Sequence, residues 1–235
     1  MGRSWSAAPN RTAVPNMSKF LDRETTFFET PLKLKSRVLI LVAVLALLPS
    51  FFFPLWNMSF YSNQYTDGLF LHIYSYQLEG GKTPNRDDLR EINSLNHYIG
   101  MRPLLESDFS EFNWVPLVIG LLMILALRAM VLGKMSNLVD VFVLFTYFGL
   151  FSMWSFYHRL YMYGHNLDPT ASIKVEPFTP PLFGTKVIAN FTINSFPGLG
   201  SYAFFAFAVL LLAAIFLSIK RVRPESQPEL SPKEV

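Results

Sequence analysis

The chain has 235 residues, 51% of them hydrophobic and only 16% charged, with no cysteine and a formal net charge of +3. A soluble domain carries about 25% charged residues, and here the apolar excess is gathered into runs of about 20 residues, the length that crosses about 30 Å of hydrocarbon as a helix. Composition therefore excludes a soluble globular fold. The lack of cysteine excludes disulfides, thiolate metal sites and cysteine nucleophiles, and so small a charge gives no ground for nucleic-acid binding.

In chain order, residues 1–32 mix Ser, Pro, Asn and charges without an apolar run, and are expected to be a disordered or interfacial tail. Within them "MSKFLDRETTFF" (17–28) reads as a short interfacial helix with Phe20, Leu21, Phe27 and Phe28 against lipid. The first apolar run starts too late for a secretory signal, and no small-residue cleavage site follows it. A membrane domain is expected over 33–221. Its first span is 37–56, kinked or ended by Pro49 and Pro54 and anchored at the interface by Trp56. An outer loop follows at 57–113. In it "GLFLHIYSYQL" (68–78) alternates like a strand, with His72 on one face beside Phe70, Tyr74 and Tyr76. "TPNRDDLREINSLNHYIG" (83–100) reads as a short helix capped by Asn85 or Asp87, its apolar side made by Leu89, Ile92, Leu95 and Ile99.

The second span is 114–133, where Arg128 can snorkel to the headgroups. The third is 138–164, with Trp154, Tyr157, His158, Arg159, Tyr161 and Tyr163 at its polar end. A second outer loop, 165–201, is rich in Pro, Gly and Asn and has no periodicity, so it is expected to lie extended over the bundle. The fourth span is 202–221, and 222–235 is a polar tail. The expected fold class is all-α membrane: a four-transmembrane-helix bundle with two structured outer loops, the first holding some β-strand and a short helix.

Lysine and arginine set the orientation. With both tails and the 128–134 turn on one side, that side holds 13 of them and the two long loops hold 7. The positive-inside rule puts both termini in the cytoplasm and the loops outside, as expected of a multi-pass protein of a bacterial inner membrane. All four histidines then fall on the outer side, with Met58, Met101, Met153 and Met162.

These residues are the candidate metal ligands. His97 and Met101 join imidazole to thioether, a donor set that suits copper. On a continuous helix their spacing of four would place both on one face, but Gly100 interrupts it. His165 and Asp168 offer either a second ligand set, with Asp168 orienting the histidine, or a turn ahead of Pro169. His158, ionisable and at the membrane boundary, is a functional candidate by position, and His72 completes the set. The other reading of each is structural: capping, cross-linking or gap filling in the loops. No second span carries a histidine, which argues against a haem held by two of them. Stacking of a quinone head group among Trp154, Tyr157 and Tyr161 stays open. No phosphate-binding loop, serine elbow or HExxH is present. The charges in the spans, Arg128 and Asp140, sit near the cytoplasmic face, so no mid-depth proton site is expected and no enzyme activity is read.

"LNHYIGM" (95–101), "YGHNLDP" (163–169), "PPLFGTK" (180–186) and "NF" (190–191) resemble a family of bacterial polytopic membrane proteins of unassigned activity, associated with gene clusters for nitrous oxide reductase and its copper-loading machinery. The resemblance covers about residues 40–215. It implies an accessory protein that assists copper delivery to, or maturation and assembly of, a periplasmic copper enzyme, with copper as its metal. The partners it implies are the lipid bilayer and other membrane or periplasmic proteins of copper-loading or respiratory machinery. The alternative is a structural or permease-partner subunit of a membrane transport or respiratory complex. No catalytic or metal-binding residue is carried over from the family.

Overall fold

The computed structural model describes residues 27–188 and 190–219. The interfacial helix expected over 17–28 lies for the most part outside them, as does the C-terminal tail. Among the described residues, beside a helical stretch at 27–29, lie five longer α-helices: α1 (Leu34–Leu47), α2 (Asp88–Tyr98), α3 (Glu111–Leu132), α4 (Met135–His165) and α5 (Leu199–Ile219). Seven strands accompany them: β1 (Trp56–Tyr61), β2 (Leu69–Ile73), β3 (Leu78–Gly80), β4 (Lys82–Thr83), β5 (Arg86–Asp87), β6 (Gly184–Ile188) and β7 (Phe191–Pro197).

Four helices are long and apolar enough to cross a membrane: Leu34–Phe51 (α1 with its 3-10 extension), α3, α4 and α5. The protein is thus a multi-pass membrane protein. Its buried seam runs at helical spacing through Ile40, Ala43 and Leu47 of α1, Ile119, Leu122 and Ala126 of α3, and Phe207, Leu211 and Ala214 of α5. Lipid tails are as apolar as these side chains, so close van der Waals packing rather than hydrophobicity selects this seam. Small residues let the backbones approach, and the Ser218 hydroxyl donates to Ser36 Oγ at 2.9 Å, in the same buried contact. The outward faces keep Leu117, Leu150 and Phe205 at 72%, 69% and 69% exposure, as lipid-facing side chains should be. α1 ends at Leu47 because Pro49 cannot continue the hydrogen-bond ladder, and a 3-10 turn, Leu48–Phe51, follows.

The all-α expectation is overturned. Beyond the helix ends stands a five-stranded antiparallel sheet in the order β3-β2-β1-β7-β6, with a small β4-β5 hairpin beside it. β1 is the residue run WNMSFY, which begins at the expected end of the first span. Trp56 is therefore not a helix-end anchor. It opens a strand, donates its indole N–H to Ser195 Oγ at 2.8 Å, and meets Phe156 edge-on. The strand expected over 68–78 divides into β2 and β3, with a turn in which the Tyr74 N–H bonds the Gln77 carbonyl. The second loop is not featureless: β6 and β7 form a hairpin, and β7 pairs with β1 from Trp56↔Pro197 to Tyr61↔Thr192.

One sheet face carries a second core of Met58, Leu69, Leu71, Leu78 and Ile193, and α2 packs on it through Ile92. Asp87 caps α2, accepting from the Leu89 and Arg90 N–H groups. The next residue, Asp88, is buried at 1% exposure. It accepts from Arg86 Nε at 2.6 Å and from the Phe70 N–H at 2.9 Å, tying helix to sheet. Asp88→Ala would leave the Phe70 amide without its acceptor and Arg86 Nε without its carboxylate, while Arg86 Nη2 keeps the Gly68 carbonyl; a buried donor left unsatisfied costs about 1–3 kcal/mol. We expect hydrogen exchange at the Phe70 amide to accelerate accordingly in the variant, while the spans keep their protection.

Candidate functional site

The two long inter-span segments meet at the end of α2. The helix stops at Tyr98, and Gly100 turns left-handed with φ +79°. The Gly100 N–H then bonds the His97 carbonyl and the Met101 N–H bonds the Asn96 carbonyl at 2.8 Å. This paired closure is favoured by glycine at that position. His97 and Met101 thus do not share a helix face. Gly100 has a second duty. A methyl group there would lie 2.8 Å from the Asp168 carbonyl oxygen and 2.9 Å from Ala171 Cβ. The other loop crosses at that point, and the crossing is hydrogen-bonded on both sides: Asp168 N–H to the Gly100 carbonyl at 2.8 Å, and Ile173 N–H to the Tyr98 carbonyl at 2.9 Å. Gly164 works the same way on α4. Its carbonyl accepts from the Phe178 N–H, and a methyl there would overlap the Phe178 carbonyl.

The crossing encloses an open polar pocket of about 690 Å³, lined among others by His97, Met101, His165 and Asp168. His165 stacks on Tyr161, ring centroids 3.8 Å apart, and its Nδ1 lies 3.0 Å from the Tyr161 carbonyl oxygen. That bond leaves Nε2 as the ring atom for other partners. Asp168 is exposed and accepts from both the Thr170 hydroxyl, at 2.7 Å, and the Thr170 N–H, at 2.8 Å. These bonds hold its carboxyl below the usual carboxylate range, with the charge of His97 adding in the same sense.

The other two candidates lie apart. His158 stacks face to face on Trp154 at 5.5 Å on the exposed side of α4. Trp154, Tyr157 and Tyr161 are exposed there too, an aromatic belt rather than a stacking pocket. His72, on β2, pairs its Nδ1 with Asn57 Oδ1 of β1 at 2.7 Å. Among the described residues no group of three or more His, Cys, Asp or Glu side chains is gathered to hold a metal. The pocket offers instead two imidazoles and one thioether along its walls.

A second cavity, of about 680 Å³, lies under the sheet. Its walls are the inner sheet face, α2 and the outer part of α4, including Leu71, Leu95, Ile193, Phe156 and Leu160. Met101 lines both cavities. Sequence reading missed this one because its side chains are ordinary core types. It also missed the pairing of Arg159 with Glu111, made by Nη2 at 2.6 Å and Nε at 3.2 Å, beside a Ser155 hydroxyl bond to the same carboxylate.

No protein-family model matches the chain, and neither a curated protein nor a solved structure is significantly similar to it.

Two expectations follow for the crossing. Gly100→Ala forces a side chain into a left-handed position, a strain of about 1–3 kcal/mol, and into the Asp168 backbone. The amides of Asp168 and Ile173 should lose hydrogen-exchange protection. The Asp168 turn is stabilised in its charged form, so its contribution is complete above the unfolded carboxyl pKa of about 3.9 and is lost as pH falls through the lower folded value. Thr170→Ala should raise the carbon-13 carboxyl titration midpoint of Asp168.

Proposed function

We propose that this is an integral-membrane accessory protein that passes copper to, or helps assemble, an extracytoplasmic copper enzyme such as nitrous oxide reductase. One observation carries the reading. Two segments 68 positions apart in the chain, centred on His97 and His165, cross and line one pocket together with Met101. Imidazole and thioether are the donors that suit copper in a chain without cysteine. In this reading copper is cargo. An open pocket with few donors binds an ion weakly enough to release it, and Met101 would favour the cuprous form while the two imidazoles accept either oxidation state.

The orientation that goes with this reading puts the sheet module on the periplasmic side of a bacterial inner membrane and both termini in the cytoplasm. The excess of 13 lysines and arginines over 7 supports it. Partners would be other membrane or periplasmic proteins of the copper-loading or respiratory machinery.

The test is Cu(I) titration of the detergent-purified protein against a competing chelator, beside the His97→Ala/His165→Ala double variant. We expect saturable binding to the native chain and at least a tenfold loss in the variant, about 1.4 kcal/mol. Equal binding by the two proteins, or none by either, overturns the reading.

A further inference from the structure

The cavity beneath the sheet differs in chemistry from the polar pocket at the loop crossing, although Met101 lines both. Its volume of about 680 Å³ falls in the range of small-molecule sites, about 300–1,000 Å³. Well-packed interiors leave few voids larger than a water molecule, so a space of this size with apolar walls is a feature of the fold, not a packing fault. Leu71, Leu78 and Ile193 of the sheet line it together with Leu95 of α2 and Ile99 just beyond that helix.

The charged groups on its lining are already engaged. Arg159 gives two nitrogens to Glu111 and its third, Nη1, to the Asp108 carbonyl at 2.8 Å. Glu91 accepts from the Tyr65 hydroxyl at 2.9 Å. Burial and that neighbouring carboxylate push the Tyr65 phenol above its ordinary pKa, so it stays a neutral donor. The one cation among the described lining residues, Arg159, is therefore committed to Glu111 and not available to an anionic headgroup inside. A ligand here is recognised by its hydrocarbon body.

Position names the source. α4 has 31 residues, about 46 Å of helix, against about 30 Å of hydrocarbon, so its last turns stand at and beyond the membrane boundary. Phe156 and Leu160, which line the cavity, belong to that part. Phe109, another lining residue, comes two residues before α3 enters from the same side. By this arithmetic the cavity floor lies at the edge of the adjoining lipid leaflet.

We propose that this cavity takes one long hydrocarbon chain of a membrane amphiphile, drawn from the adjacent leaflet. An acyl chain and a prenyl chain share this chemistry, and competition separates them. The full-length protein is purified in a bile-salt detergent, which has no alkyl tail, and titrated with a fluorescent polyene fatty acid. Oleate and farnesol serve as competitors.

We expect saturable binding of about one probe per chain, displaced by at least one competitor. Displacement by oleate alone assigns an acyl chain, by farnesol alone a prenyl chain, and by both a site that reads only hydrocarbon. Leu95→Trp, which fills the cavity, should weaken binding at least tenfold. Leu121→Trp, on the lipid-facing side of α3, should not. Ile173→Trp repeats the test at a partly exposed lining position where folding is not at risk. Non-saturable binding, displacement by neither competitor, or equal affinity in Ile173→Trp and Leu121→Trp overturns the proposal.

Discussion

The sheet module depends on the pairing of β1 with β7. β1 follows the first span after a short Pro-bearing turn, and β7 runs into the last span with one residue between, Gly198. The two spans are neighbours in the bundle, so the strands that rise from them are set side by side. Backbone bonds weld the joint: Gly198 N–H to the Leu55 carbonyl, Gly200 N–H to the Pro54 carbonyl, and the Ser201 hydroxyl to Leu55 again at 2.6 Å. Glycine is needed at 198, where a side chain would strike the Pro54 carbonyl. Once the central pair is fixed, each strand takes a partner on its free side, β2 on β1 and β6 on β7. α2 covers the face so formed, and the second loop crosses the end of α2.

The sequence showed some of this clearly. The four spans are long and apolar, and no polar residue interrupts their windows enough to hide them. The start of α2 was readable as a cap at Asn85 or Asp87, of which the fold uses Asp87, and Gly100 was readable as a break because it ends a periodic stretch. The sheet was not readable. The central strands β1 and β7 pair with each other across more than a hundred residues, and local composition holds no trace of that pairing. WNMSFY merged with the tail of an apolar run, while the β6-β7 hairpin was masked by the Pro, Gly and Asn around it. Pairing, unlike helix formation, is decided between segments.

The site was legible in the same uneven way. His97, Met101, His165 and Asp168 stood out by residue type, yet their meeting depends on the loop crossing that only the fold provides. His72 and His158 stood out equally, and the fold sends them elsewhere, one to an asparagine on the neighbouring strand and one to a tryptophan at the interface. The apolar cavity has no motif, since leucine and isoleucine look alike whether they face a neighbour or a void. The last turn of α2 divides a polar chamber from an apolar one, and Met101 contributes to both. A soft, flexible side chain suits that place, because it packs against hydrocarbon and still offers a lone pair.

The joint between first and last span also orders events during synthesis. Trp56 and Ser195, bonded in the finished protein, are 139 residues apart. At ribosomal rates of about 5–20 residues per second, β1 waits on the order of ten seconds for its partner. Until then it is the exposed edge of a hairpin, with unpaired amides and carbonyls beside the membrane. The sheet closes only when β7, directly ahead of the final helix, has been made, so a chain that stops short of it keeps an open sheet edge. Closure of the sheet is thus a structural signature of a chain made nearly to its last span.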